Sequence, residues 1–253
     1  VTAPTDHRDP QGHAPGLRSG EVPVLRQAVV LAGGFGTRLR SVVSDLPKPM
    51  APVGRRPFLE FVLDELVAAG LERAVLAVGY KAEAIRAHFG DAYRGLALAY
   101  SVEEEPLGTG GGIRRAFGML DAEAGLVLNG DTLFRVDLAR LCRRFAAADS
   151  LLTVALKEMT DFDRYGTVVL DGGGVITGFR EKRPMARGLI NGGVYALHRD
   201  LFGLRALPER FSFEQEILEA EVGRGRFHGE VFDGYFIDIG IPEDYARAQA
   251  ELV

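Results

Sequence analysis

One cysteine, Cys142, occurs in 253 residues. A single thiol excludes an intrachain disulfide framework and any cysteine-based zinc cluster, and it fits a reducing compartment. Its setting, LARLCRRF, has helical apolar spacing, so Cys142 reads as packing rather than as a nucleophile. Long apolar runs are missing too: none approaches the roughly 18 residues that a membrane-spanning helix needs, and no membrane partner is expected. The first stretch, VTAPTDHRDPQGHAPGLRSGEVP, lacks the apolar centre of a secretory signal. Rich in Pro, Gly and charge, residues 1–26 are expected to form a disordered tail ahead of a single domain over 27–253. His7 and His13 lie in that tail without a metal-ligand pattern. Basic charge is not in excess, since 30 Lys and Arg face 35 Asp and Glu for a net charge of −5. That balance argues against a nucleic-acid partner, whose footprint is a basic face. The expected setting is the cytoplasm.

What is present is an ordinary globular composition, 47% hydrophobic and 26% charged, with a regular alternation of apolar runs and helical patterns. QAVVLAG, AVLAVGY, LALAYSVE, GLVLNGD and LLTVALKE read as buried strands. Between them PFLEFVLDELVAAGLER, KAEAIRAHFG, GGGIRRAFGML and VDLARLCRRFAAAD read as helices, two of them closed by glycine. Strands this uniformly apolar have no wet face. The pattern predicts an α/β fold with a largely parallel sheet covered by helices on both sides. After residue 164 the pieces YGTVVLD, GVITGFREK and INGGVYALH are strand-like and joined by glycine turns. A helix is expected at SFEQEILEAE, where Ser212 and Gln215 have capping-box spacing. The chain closes on YFIDIG and a helix with Pro242 in its first turn.

The stretch VLAGGFGTRLRSVVSDLPKPMAP follows the first strand with glycines, arginines and a Pro-Lys-Pro. Its glycines do not spell the dinucleotide fingerprint G-x-G-x-x-G, because Leu39 stands where the last glycine belongs. No frame supplies the Walker A pattern either. The physics of the stretch still favours an anion: a glycine loop at the end of a parallel strand lets backbone N–H groups approach phosphate closely. Arg38 and Lys48 add charge, and the prolines stiffen the approach of Lys48.

Seven ordered motifs give the chain a family likeness: LAGGFGTRL…PKPMAPV, EEEPLGTGGG, LNGDT, RYGTV, FREK, INGGVY and DIGIPEDY. Together they resemble the sugar-1-phosphate nucleotidyltransferases over residues 27–253. That likeness implies a Rossmann-like, mostly parallel sheet with a β-rich sugar-binding portion. Local spellings such as GTRLRSVVSDLPKPMAPV, FDRYGTV and FSFEQEIL are most similar to the branch acting on GTP and a heptose 1-phosphate. A hexose-type relative using GTP, UTP, dTTP or CTP stays open, as does a non-catalytic nucleotide-sugar-binding paralogue. Gly112 departs from the pattern, which has alanine there.

The resemblance implies attack of a sugar-1-phosphate oxygen on the α-phosphorus of an NTP, with release of pyrophosphate. It places Arg38 at the β and γ phosphates and Lys48 at the α-phosphate. Leu31, Ala32, Gly33, Gly34, Gly36 and Thr37 then belong to the nucleotide. So do Gly79, Tyr80 and Lys81 after the second strand, and Glu103, Pro106, Gly108 and Thr109 after the third. Asn129, Gly130, Tyr165, Gly166, Glu181, Lys182, Asn191 and Gly192 match sugar-phosphate positions. On spacing alone Asp131 and Asp238 read as turn or capping residues; the resemblance makes them the carboxylate pair for Mg²⁺. No Ser-His-Asp or Cys-His pair is evident, and His88, His198 and His228 show no catalytic spacing. A homo-oligomer is compatible with these features.

Overall fold

The computed structural model describes residues 25–34, 39, 46–148, 150–180, 183–224 and 226–253. Most of the expected N-terminal tail lies outside them, as do Gly36, Thr37, Arg38, Glu181 and Lys182. Strand β1 (Gln27–Leu31) leads past a single 3₁₀ turn at Lys48–Met50 to a short hairpin of β2 (Pro52–Val53) and β3 (Arg56–Pro57). Helix α1 (Phe58–Ala68), β4 (Arg73–Val78), α2 (Ala82–Phe89), β5 (Ala92–Tyr93), β6 (Leu96–Val102), α3 (Gly108–Phe117) and β7 (Ala124–Asn129) follow. β7, β1, β4 and β6 lie side by side and parallel, with β1 pairing Ala28–Leu31 against Leu126–Asn129 and Gln27–Leu31 against Arg73–Ala77.

Both faces of this block are covered, which explains its unbroken apolar runs. Ala28, Val30, Leu76 and Leu128 pack into one core with Leu59, Val62 and Leu66 of α1. Val29, Val75, Ala77 and Val127 point the other way, against Ile113, Ala116 and Phe117 of α3. The alternation of residues along each strand thus feeds two cores at once.

Beyond β7 come β8 (Thr132–Phe134), α4 (Leu138–Ala147), β9 (Leu152–Phe162), β10 (Thr167–Leu170), β11 (Ile176–Arg180), β12 (Met185–His198), β13 (Phe227–Phe232), β14 (Phe236–Asp238) and α5 (Pro242–Glu251). Asp137 caps α4 by accepting from Arg140 N at 2.8 Å, and Cys142 is buried on that helix. Strand β9, which the alternation predicts beside the parallel block, pairs antiparallel with β12 and parallel with β13 instead. The place next to β7 is taken by β12, running antiparallel.

Strand β12 is the link between the two halves of the sheet. One of its edges pairs with β9 throughout, while the other passes from β10, at Leu189 and Ile190, to β7, at Val194–His198. The change falls on INGGVY, where the register shifts and Asn191 Oδ1 accepts from Gly193 N at 3.0 Å. A bulge of this kind bends the strand and re-aims a side chain.

The helix expected at SFEQEILEAE forms over Glu214–Glu219 but winds wider than an α-helix, as a π-helix. Its cap differs accordingly. Ser212 Oγ accepts from Gln215 N at 3.3 Å, as the capping-box spacing predicts, but Ser212 N donates in return to Glu216 Oε2 at 2.9 Å. The wider turn carries the reciprocating acid one residue further along.

Candidate active site

The C-terminal ends of β1, β4, β6 and β7 share one edge of the sheet, and the loops leaving them build a cleft. The chain runs from β1 outward to β4 and β6, then returns to β7 on the other side of β1. The crevice between β1 and β7 is therefore the switch point where open α/β sheets bind ligands. Backbone bonds hold the strand ends flush: Gly130 N donates to Leu31 O, Ala32 N to Ala77 O and Glu103 N to Val78 O, each at 2.8 Å. β14 lies antiparallel to β8, pairing Asp238 with Thr132, and Ile239 N donates to Asp131 O at 3.1 Å. That pairing brings two carboxylates from distant parts of the sequence together.

Lys48 completes the cluster. Its Nζ donates to Asp131 Oδ2 at 2.6 Å and lies 3.4 Å from Asp238 Oδ1. The side chain of Lys48 is 11% exposed, and Asp131 and Asp238 are 35% and 26% exposed, so the charges meet at the cleft floor. Burial pushes the Lys48 ammonium down, but Asp131 and then Asp238 outweigh it and hold the group above its ordinary value. Burial raises the Asp238 carboxyl, Lys48 opposes the shift, and the facing Asp131 adds to it. An ammonium donating to two carboxylate oxygens marks a place that favours a cation.

One end of the cleft is a cavity of about 310 Å³ lined by Leu31, Gly33, Gly34, Glu103, Pro106, Gly108, Thr109, Asn129 and Asp131. A smaller one of about 200 Å³, lined by Gly79, Tyr80 and Glu104, shares its Gly33, Glu103 and Pro106 walls. Glu103 Oε2 accepts from Leu107 N at 2.9 Å, which folds the carboxylate under the loop. Gly108 has φ +72°, and a Cβ there would stand 2.5 Å from Phe211 O. The close approach that this glycine permits is thus to the chain's own backbone as well as to the cavity it lines.

The other end is a cavity of about 450 Å³ that includes Asn129, Thr132, Arg164, Tyr165, Gly166, Asn191, Gly192, Asp238 and Gly240. It continues into a space of about 420 Å³ walled by Gly166, Val168, Phe179, Arg180 and Asn191. Asn191 Nδ2 donates to Tyr195 Oη at 2.8 Å, fixing its amide. Burial, then the nearby Asp238 charge, pushes the Tyr165 phenol up to about 12. A larger cavity, about 650 Å³ between α1 and α4, is lined mainly by apolar carbons around Cys142 and has no convergent donors.

Sequence reasoning and structure meet unevenly here. Ala32 and Gly130 are buried behind the strand ends, so they offer backbone rather than side chains. Lys81 opens α2 with φ +53°, with its Nζ 5.4 Å from the centre of the Tyr80 ring, beside the cleft wall. Arg164, Thr132, Gly240, Arg180 and Glu214 line the cleft without having been singled out. All five lie within quoted motifs: FDRYGTV for Arg164, LNGDT for Thr132, FREK for Arg180, FSFEQEIL for Glu214 and DIGIPEDY for Gly240. Among the described residues no histidine lines these cavities: His88 pairs with Glu60, and His228 with Ser150.

A match to the nucleotidyl transferase family spans residues 27–253. The chain belongs to that family. This nucleotidyl transferase is 49% identical over 226 residues to a D-glycero-α-D-manno-heptose 1-phosphate guanylyltransferase of Aneurinibacillus thermoaerophilus, covering 89% of this chain and 98% of the relative. It is 48% identical over 219 residues to the protein of that description from Campylobacter jejuni, covering 87% and 96%. Its fold is similar to the crystal structure of HddC from Yersinia pseudotuberculosis complexed with GMP-PN. There the TM-score is 0.80 with 35% identity, over 90% of this chain and all of that one.

Proposed function

We propose that the protein joins GTP to D-glycero-α-D-manno-heptose 1-phosphate, giving the GDP-sugar and pyrophosphate. The observation that carries the reading is Lys48, Asp131 and Asp238 meeting between two cavities, one of about 310 Å³ that we assign to the nucleotide and one of about 450 Å³ that we assign to the sugar. The near-full-length relatives acting on these substrates support the choice of base and sugar. The domain is residues 27–253, the stretch that matches the family. The cytoplasm, which holds the GTP pool, is the proposed setting.

In this reaction a sugar-phosphate oxygen bonds to the α-phosphorus as the bond from that phosphorus to the β-phosphate bridge breaks, and pyrophosphate leaves with the electron pair. A phosphate monoester with a second pKa near about 6 is already a dianion at neutral pH. No protein base has to create the nucleophile. The chemical difficulty is the meeting of two polyanions, which positioning and cationic contacts overcome. Lys48 is assigned to the α-phosphate, and Arg38, outside the described residues, to the β and γ phosphates. Gly33 and Gly34 turn backbone toward the nucleotide; Glu103, an acceptor beside the loop Pro106–Thr109, suits the ring N–H and exocyclic amine of guanine.

Asp131 and Asp238 are two hard oxygen donors that already converge on one ammonium, a donor set that fits Mg²⁺. The ion supplies charge neutralisation at the phosphates when bound. No third His, Cys, Asp or Glu joins them among the described residues, which leaves remaining positions to phosphate oxygens and water. Tyr165, Gly166 and Asn191, with Glu181 and Lys182 outside the described residues, are assigned to the sugar phosphate.

The test is pyrophosphate release with GTP, ATP, UTP, CTP and dTTP, each crossed with heptose, mannose and glucose 1-phosphates in Mg²⁺. Fastest turnover with GTP and the heptose is expected. A better pair elsewhere would overturn the substrates, and no turnover with any pair would overturn the reaction.

A further inference from the structure

Glu214 borders the nucleotide cavity and both parts of the sugar cavity. It opens the π-helix Glu214–Glu219, and wide turns of this kind recur at functional sites. Its Oε2 accepts from Thr109 Oγ1 at 2.7 Å and from Ser212 Oγ at 2.9 Å. Thr109 Oγ1 is itself set by Phe213 N, which donates to it at 2.9 Å. One carboxylate oxygen is thus locked between the first turn of α3 and the segment ahead of the π-helix. Among the described residues no donor reaches the other, Oε1. The neighbouring Asn191 has already committed one N–H and its carbonyl oxygen to Tyr195 and Gly193.

We propose that Glu214 reads a hydroxyl of the sugar through Oε1, with Thr109 and Ser212 as its positioning donors. The assignment rests on the sugar 1-phosphate reading above. A carboxylate accepts and never donates, so its neutral partners in a substrate are hydroxyl or N–H groups. Phosphate is repelled by it, and the phosphate's place is with Lys48. Glu214 therefore faces the hydroxyl-bearing end of the sugar and opposes the reversed orientation. Sites built to bond a substrate hydroxyl discriminate strongly against an analogue lacking it, because the acceptor, covered by the bound sugar, is left unpaired. Glu214 would be a specificity residue that also joins the loop holding the base to the wall holding the sugar.

The experiment measures binding by calorimetry, with a non-reacting GTP analogue and Mg²⁺ present. Wild type, Glu214→Ala, Glu214→Gln and Thr109→Val each receive the parent sugar 1-phosphate and its monodeoxy analogues. In wild type one analogue binds about 10- to 100-fold more weakly than the parent. In Glu214→Ala that ratio falls to near one, with the GTP analogue still bound; Thr109→Val moves it in the same direction, and Glu214→Gln, whose amide oxygen still accepts, keeps part of it. Wild-type ratios for every analogue in Glu214→Ala would overturn the assignment. Should that variant fail to bind nucleotide, an unchanged ratio in Thr109→Val overturns it equally. No binding of any sugar 1-phosphate by wild type would strike down the substrate class, and this assignment with it.

Discussion

Lys48 is drawn out of solvent by two carboxylates, and its removal would act in two separable ways. Turnover in Lys48→Ala should fall by about 10²–10³, the usual loss for one preorganised electrostatic contact. Without chelated metal to replace the ammonium, Asp131 and Asp238 also face each other uncompensated. Thermal melting of Lys48→Ala should therefore drop in EDTA and recover with Mg²⁺ more than wild type does. Equal Mg²⁺ responses would remove the carboxylate pair from the metal site. Gly112 invites a subtler test. An added Cβ would stand 2.6 Å from Glu103 Oε1, the far end of a flexible side chain, so the fold should absorb alanine while the carboxylate moves. Gly112→Ala is expected to raise KM for GTP about tenfold, the worth of one charge-assisted hydrogen bond, at nearly unchanged melting temperature. An unchanged KM would separate Glu103 from the base. The departure from the family's alanine was visible in the sequence; its partner, Glu103, was not, because the two meet only when α3 lies against the end of β6.

At the scale of elements, the glycines of GTGGG illustrate how a signal read one way can serve another. A Cβ at Gly110 would strike the Phe211 ring at 2.1 Å, and one at Gly111 would strike Glu209 O at 2.5 Å. Glycine is a poor helix former by roughly 1 kcal/mol per residue, yet α3 tolerates the run because segment 209–211 lies directly on its first turn. The sheet's outer half carries a pH-dependent element in β13. His228, bonded to Ser150 Oγ at 3.1 Å, is held below its ordinary value by burial first and by Arg144 second. Its folded pKa lies under the unfolded one of about 6.5, so the unfolded chain binds more protons as pH falls below that value. Stability is lost on acidification through that window. Melting temperatures between pH 7.5 and 5 should fall more steeply for wild type than for His228→Gln. Parallel curves would clear His228 of any part in acid sensitivity.

For the whole molecule, the C-terminal helix reaches back to the start of the site. Gln249 Oε1 accepts from Gly54 N at 3.0 Å, and its Nε2 donates to Pro52 O, as does Tyr245 Oη. These bonds fasten the hairpin that follows Lys48 to α5, which itself follows Asp238. Gln249→Ala should lower stability by about 1–3 kcal/mol in denaturant melts. Since positioning errors of an ångström are costly in rate, kcat should fall while KM for GTP holds. A stability loss with full kcat would show the clamp to be structural only.

The parallel block and its two covered faces follow from the sequence alone, because strand periodicity is a local property. The ordered motifs also carried the family. Local spacing could not place β9, whose position depends on β12 occupying the edge of β7 first. Nor could it distinguish Asp131 and Asp238 from turn residues: their meeting depends on β14 pairing with β8. Glu214 looked like the first turn of an ordinary capped helix. Only the tertiary structure set it against Thr109 and at the border of three cavities, since convergence of distant side chains is a property of tertiary contact and not of sequence spacing.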